Sequence, residues 1–307
     1  MALAIVTIAV CLIALGSAVG VLIDWLWFSE VGYINVFWTI LEAKLAIFAA
    51  VFVVSAILLG LNGSVAYRHA KQPERLPSVI PRWESTSHPT SAALMAHALQ
   101  RSHGCFLLVG VTLALAAGAA LGEVGNWDVT LRFFRQAPFG QPDPLYGEDI
   151  GFYFFSLPAF IALKNWMLLI LALSILFAGV IYWTQGGLAF DTPQLAAPWV
   201  IAHGSILFGF LFLVEAWSYW IDRFLLLYDD NSVVVGAGYT DVHVELPALW
   251  ALAGLALVAA FVAWINIWVR SYKLLMGSVT LVVGAWLLLA LALPIRSSHV
   301  PGDPKVA

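Results

Sequence analysis

The sequence predicts an all-α fold, a polytopic bundle of about seven transmembrane helices with short interfacial helices in the loops between them. Two observations support this prediction. Of the 307 residues, 62% are apolar and only 10% are charged, whereas soluble domains carry about 25% charged residues. The apolar residues also form blocks of about 20 residues, the helical length that crosses a hydrocarbon core about 30 Å thick. Because lipid offers the backbone no hydrogen bonds, such blocks must be helical.

Charged residues and turn residues mark the ends of the apolar blocks. We place seven spans at residues 2–23, 37–61, 105–122, 160–183, 197–216, 246–269 and 274–293. The first span is interpreted as a retained helix rather than a signal peptide, because it lacks a basic leading segment and its apolar run is longer than such a peptide needs. Residues 1–294 are thus expected to form one membrane domain, followed by a short tail at 295–307.

The loop charges predict the orientation of the bundle. One set of connections consists of residues 62–104, 184–196 and 270–273. It holds seven basic and three acidic residues. The other set consists of residues 24–36, 123–159, 217–245 and the tail. It holds five basic residues. Because Lys and Arg near span ends favour the cytoplasm, we expect loop 62–104 and the N-terminus to be cytoplasmic and the C-terminus to be extracytoplasmic.

The predicted outer loops are rich in Trp, Tyr, Gly, Pro and Asp. Two aromatic segments, Trp127–Gln136 and Trp217–Tyr228, are interpreted as short helices on the outer leaflet, although they could also extend the neighbouring spans. Trp, Tyr and Arg are enriched at protein interfaces. Partner-binding side chains are therefore predicted at Trp127, Arg132, Trp217, Trp220 and Arg223.

Three separated strings resemble segments of one known family. They are DWLWFSEVGYINVFWTILEAKLAIF from residue 24, FGQPDPLYGEDIGFYFFSLPAF from residue 139 and GAGYTDVHVELPAL from residue 236. In the same order, they resemble uncharacterised protein family 0182, large membrane proteins of bacteria and cyanobacteria. The resemblance implies a bacterial inner membrane, an N-terminal bundle of about seven helices and, in typical members, a large extracytoplasmic region after it. This chain resembles the membrane part alone, and the resemblance supplies no catalytic residue.

Ionisable residues inside the spans are candidates for function because they are costly to insert. His203, with His103 at the end of the third span, could ligate haem or a chlorophyll-type pigment, but we favour a hydrogen-bonded packing histidine. Lys44 and Lys164 could mark a polar pathway together with Glu215. For the two lysines we favour side chains that extend to the membrane interface.

The predicted outer loops also contain two groups of acidic residues. Calcium binds six to eight oxygen atoms, so these groups could together hold one ion. The candidate metal ligands are Asp143, Glu148, Asp149, Asp229, Asp230 and Asp241. Their spacing matches no EF-hand, and we favour a solvated acidic face.

No phosphate-binding loop, zinc-protease motif or nucleophile elbow occurs in a supporting context. The sequence therefore predicts a non-enzymatic membrane subunit, without a required cofactor, that docks another membrane protein or complex through its aromatic and acidic outer loops. A transporter or channel acting through Lys44, Lys164 and Glu215 is the alternative. A haem- or pigment-binding subunit is the second alternative. The bilayer is an expected partner and nucleic acid is not.

Overall fold

A computed structural model describes most of the chain. The described residues are 16, 18–70, 104–185, 187–188, 196–228 and 236–297. These residues form helices and connecting loops, with no β-strand among them, and the predicted all-α fold is confirmed. Most of the first predicted span and of loop 62–104 lies outside the described residues.

The helices follow one another with short connections. In chain order they are α1 (18–30), α2 (Ile34–Ala70), α3 (Gly104–Glu123), α4 (Trp127–Phe134), α5 (Leu157–Thr184), α6 (Pro198–Leu225), α7 (Leu246–Val269) and α8 (Tyr272–Ser297). Five helical stretches are long and apolar enough to cross a membrane. They are Ile34–His69, Cys105–Phe134, Phe152–Thr184, Pro198–Tyr228 and Asp241–Val269. The second to sixth predicted spans are thus confirmed as helices of membrane-spanning length, and α8 adds a shorter apolar stretch.

The predicted interfacial helices have different outcomes. Helix α4 follows the 3₁₀ turn Val124–Asn126 and forms the end of the helical stretch Cys105–Phe134, and its position on the outer leaflet stays a prediction. The prediction of a second separate helix at Trp217–Tyr228 is wrong, because α6 continues through this segment to Leu225 and ends in the 3₁₀ turn Leu226–Tyr228. No Gly or Pro occurs between residues 210 and 225, so the backbone has no reason to stop at the end of the predicted span.

Two spans begin in the same unusual way. A π-helical turn, Phe152–Ser156 or Asp241–Glu245, precedes a Leu-Pro pair at the start of α5 and of α7. The leucine amide bonds to the carbonyl oxygen five residues back, from Leu157 to Phe152 and from Leu246 to Asp241. Since the following proline has no N–H, the regular hydrogen-bond ladder is already interrupted at this position.

The helices pack in a row that brings α6 against both α5 and α7. Helix α2 packs against α3 and α5, and α8 packs against α7. The surface between α6 and α7 is made of small residues on α7, with Ala259, Ala260 and Ala263 buried around Phe212 of α6. Small side chains allow helices in lipid to approach closely. At Gly209 of α6 the approach is so close that an added Cβ would overlap the Trp264 indole.

Buried polar side chains link neighbouring helices. The Asn62 amide of α2 donates to the Ser174 carbonyl oxygen of α5 at 2.8 Å. The Asn266 amide of α7 donates to the Ser205 hydroxyl of α6 at 2.9 Å. Such bonds have no competing water within the membrane and fix which helix faces are in contact.

Candidate functional site

Arg223, a predicted partner-binding residue, lies among aromatic rings of its own chain. Its guanidinium carbon is 4.4 Å from the ring centroid of Phe224, 4.8 Å from Trp220, 5.1 Å from Trp250 and 5.4 Å from Tyr146. Cation–π attraction is strongest where water is excluded. Arg223 therefore holds the end of α6 against the connecting loop and α7 rather than projecting from the surface.

The other predicted partner-binding residues also contact their own chain. Arg132 pairs with Asp128 at 2.7 Å, one turn away on α4, and its guanidinium carbon lies 5.3 Å from the ring centroid of Phe154. Trp127 lies beneath the amino group of Lys44, which is 5.9 Å from the ring centroid. In the second aromatic segment, Trp217 is half-buried and packs in the cluster around Phe224.

Residues 135–151 connect α4 to the π-helical turn, and Asp143 organises the centre of this loop. Its carboxylate accepts hydrogen bonds from the amides of Leu145, Tyr146 and Glu148 at 2.7–2.8 Å. It also accepts a bond from the Tyr153 hydroxyl at 2.8 Å. Desolvation raises the pKa of Asp143, but these hydrogen bonds outweigh it and hold the pKa of the carboxyl below its usual value.

Asp149 closes the loop at its far end. Its carboxylate accepts hydrogen bonds from the amides of Phe139 at 3.0 Å, Gly140 at 2.7 Å and Gly151 at 2.6 Å. These bonds, led by that from the Phe139 amide, lower the pKa of Asp149. Gly140 turns the chain here with a φ of 71°, a conformation that favours glycine.

The candidate calcium ligands are thus dispersed or already engaged. Both carboxylate oxygens of Asp143 and of Asp149 accept hydrogen bonds from their own loop. Asp229 and Asp230 lie outside the described residues. Asp241 is buried and accepts a hydrogen bond from the Gly238 amide at 2.7 Å. In the described ranges, no three His, Cys, Asp or Glu residues stand close enough to hold one metal ion.

Two tyrosine hydroxyls fasten the loop to the end of α6. Tyr146 donates to the Arg223 carbonyl oxygen at 2.6 Å, and Tyr228 donates to the Tyr153 carbonyl oxygen at 3.0 Å. Desolvation raises the pKa of Tyr146, so this phenol remains a donor at neutral pH. The sequence analysis did not single out either tyrosine, because nothing local shows that the loop and α6 meet.

The fastened loop displays large apolar side chains. Phe134 is 76% exposed, Phe139 56%, Phe154 51% and Ile150 43%. We call these four residues the loop surface. Phe139 stacks on Phe155 with ring centroids 6.0 Å apart and an interplanar angle of 10°, which fixes its orientation. The loop surface is therefore apolar and exposed, and it is carried by a backbone that Asp143 and Asp149 connect through hydrogen bonds.

A second polar arrangement lies inside the bundle. The Lys164 amino group of α5 is 3.1 Å from the Asp222 carboxylate of α6, and Asp222 also accepts a hydrogen bond from Ser218 at 3.3 Å. Lys164 is only 9% exposed. Lys164 thus has a carboxylate partner on the neighbouring helix, which the sequence analysis did not predict. Helices α5 and α6 are antiparallel, so the start of one meets the end of the other and supplies a counter-charge.

Glu215 lies on the same face of α6 as Ser218 and Asp222, because residues three and seven apart are stacked on a helix. Its carboxylate interacts electrostatically with Lys164 and Asp222, and it lines a cavity of about 370 Å³ between α6 and α8. The spacing of these three residues was visible in the sequence. It was missed because Asp222 was assigned to a loop. Lys44 contacts Trp127 instead and is not part of this cluster.

His203 lies at the other end of α6. Its Nδ1 shares a hydrogen bond with the Tyr182 hydroxyl of α5, and the two rings meet edge to face with centroids 5.8 Å apart. This is the geometry of a packing histidine that links two helices. The predicted second haem or pigment ligand, His103, lies outside the described residues.

Comparison with known proteins gives one family. Residues 1–303 match the model of an uncharacterised protein family, UPF0182. A UPF0182 protein of Bradyrhizobium diazoefficiens is 46% identical over 97% of this chain and 32% of its own length. One of Cupriavidus necator is 44% identical over 94% of this chain and 31% of its own length. One of Mycobacterium tuberculosis is 31% identical over 91% of this chain and 28% of its own length.

The chain therefore spans about a third of the length of the curated relatives that it matches. No solved structure matches it.

Proposed function

The chain belongs to the UPF0182 family, and we propose that it is a non-enzymatic membrane subunit that docks an extracytoplasmic protein domain on its loop surface. One observation carries the proposal. Four large apolar side chains are exposed together in and beside the loop 135–151: Phe134 at the end of α4, Phe139 and Ile150 in the loop, and Phe154 in the π-helical turn. Trp217, Trp220 and Arg223 contact their own chain. The proposal therefore assigns partner binding to the neighbouring loop surface instead of to these three residues.

The order of the loop favours binding. A flexible loop loses conformational entropy when a partner fixes it, and that loss reduces affinity. Here the carboxylates of Asp143 and Asp149 already fix the backbone through hydrogen bonds at 2.6–3.0 Å. A partner that binds this loop would therefore cause little further loss of conformational entropy.

The chemistry of the loop surface favours a protein over lipid headgroups. Trp and Tyr suit the headgroup region because each carries a polar N–H or O–H group beside an apolar ring. Phe and Ile carry none, so they are suited to contact with another apolar surface. Since the curated relatives extend over about three times this chain's length, the additional part of those proteins is the closest candidate for such a partner.

The proposal is tested by site-specific crosslinking in native membranes. A photoreactive phenylalanine analogue is placed at Phe139 or at Ile150 of the protein, both outside the membrane-spanning stretches, with Phe261 as the matched control. Phe261 is 64% exposed on α7, within a membrane-spanning stretch. We expect a protein adduct of defined mass at the two loop positions and only lipid adducts at Phe261. Lipid adducts alone at all three positions would refute docking on this surface.

A further inference from the structure

Glu215 places a carboxylate inside the membrane part of α6. Pro198 begins this helix and Leu225 ends it, so Glu215 lies about 25 Å from one end and about 15 Å from the other at 1.5 Å per residue. A charged side chain at such depth is costly and usually has a defined partner.

The surrounding charges do not neutralise Glu215. Lys164 is paired with Asp222 at 3.1 Å. Within the described part of the chain, no hydrogen bond or ion pair reaches the Glu215 carboxylate. The three charged groups therefore hold two carboxylates and one amine. One carboxylate therefore has no cation of its own, and a positively charged ligand would supply it.

The cavity beside Glu215 has the size and lining of a small-molecule site. Its volume is about 370 Å³, within the range of about 300–1,000 Å³ that is common for ligand pockets. Aromatic rings of Phe208, Phe212, Tyr219 and Trp286 line it, with valine and leucine side chains between them. The faces of aromatic rings attract cations.

The same lining argues against a metal ion. Calcium binds six to eight oxygen atoms, and the lining side chains offer the Glu215 carboxylate and the Tyr219 hydroxyl. An organic cation keeps no comparable shell of water and gains from contact with apolar walls.

We propose that Glu215 and this cavity form a binding site for a lipophilic organic cation, such as a hydrophobic amine, quaternary ammonium or phosphonium ion. Glu215 supplies the charge and the aromatic rings supply the contact surface. The Lys164–Asp222 ion pair links α5 to the face of α6 that carries Glu215, and Lys164 forms its ion pair with Asp222 rather than with Glu215. The site lies along the apolar parts of α6 and α8, so the proposal does not rest on docking at the loop surface.

The test measures binding of tetraphenylphosphonium to the purified protein in lipid nanodiscs, by equilibrium dialysis. The variants are Glu215→Gln and, as the matched control, Glu42→Gln, which removes an exposed carboxylate from α2. Triphenylphosphine oxide serves as a neutral compound of similar shape. We expect saturable binding of the cation by the wild type and by Glu42→Gln, weakened about tenfold or more in Glu215→Gln, the change expected when one charge contact is lost.

Several results would overturn the proposal. They are absence of saturable binding by the wild type, equal affinity of Glu215→Gln, and equal affinity for the neutral oxide. Displacement of the probe by sodium at physiological concentration would assign the site to a metal ion instead. Thermal unfolding of each variant confirms that a loss of binding is not a loss of fold.

Discussion

Replacing Lys164 by Met breaks the ion pair between α5 and α6 and leaves Asp222 without its cation. We expect this variant to be clearly less stable than the wild type, because the remaining carboxylate lies beside a second one, Glu215. A buried pair is costly to assemble, but removing one member costs more, since the other charge stays in a poorly solvated site.

The separation of the two groups gives the magnitude. Opposite charges 3.1 Å apart attract by about 5 kcal/mol at an effective dielectric constant of about 20 and by about 1 kcal/mol in bulk water. The Lys164 side chain is 11% exposed and the Asp222 side chain 30% exposed, so the true environment lies between these limits. We therefore expect Lys164→Met to lower the free energy of unfolding by about 2–4 kcal/mol.

The assay is reversible unfolding of the purified protein in mixed micelles with a rising fraction of dodecyl sulfate, followed by tryptophan fluorescence. Lys44→Met is the matched control. Lys44 has no carboxylate partner in the described ranges, and its amino group lies 5.9 Å from the centroid of the Trp127 ring, so its replacement should cost less than about 1 kcal/mol. The double variant Lys164→Met with Asp222→Leu should recover most of the lost stability, because it removes both charges.

Two results would refute this reasoning. One is equal stability of Lys164→Met and Lys44→Met, which would mean that Lys164 is solvated like an interfacial lysine. The other is a double variant no more stable than Lys164→Met, which would mean that the unpaired Asp222 is not the cause of the loss.

Three further predictions concern the loop, the helix contact and the orientation. The pKa of Asp149 is lower in the folded state than in the unfolded chain. The hydrogen bonds from the loop amides to its carboxylate are therefore fully present at pH values above the unfolded pKa, and they are lost as pH falls through the lower, folded pKa. The loop should therefore become sensitive to protease only below about pH 4, whereas Asp149→Asn should make it sensitive at neutral pH. Gly209→Ala should cost about 1–3 kcal/mol because its Cβ overlaps Trp264, and Gly254→Ala, where nothing lies within 4 Å, should be near neutral in the same unfolding assay. Finally, Glu148→Cys, at an exposed loop position outside the loop surface, should react with an impermeant thiol reagent in intact cells when the protein is otherwise cysteine-free; protection until the membrane is permeabilised would reverse the predicted orientation.

Much of the fold was predictable from the sequence because lipid leaves few choices. Long apolar blocks must be helical, and their order therefore predicted most of the helices that the structure shows. The helix ends were less predictable. Hydropathy ends the fifth span near residue 216, yet α6 continues to Leu225 because the backbone ladder has no breaker there.

The site was predictable only in part, for a geometric reason. The sequence alone determined that Lys164 and Glu215 are costly charges within helices. The spacing of Glu215 and Asp222 places both on one helix face only because α6 continues to Leu225, which the sequence analysis did not predict. The sequence did not determine that Lys164, 58 residues before Asp222, is its partner, or that Arg223 packs under the ring of Tyr146. Only the tertiary structure decided these contacts, because the rotation of each helix about its axis follows from packing against its neighbours and not from its own periodicity.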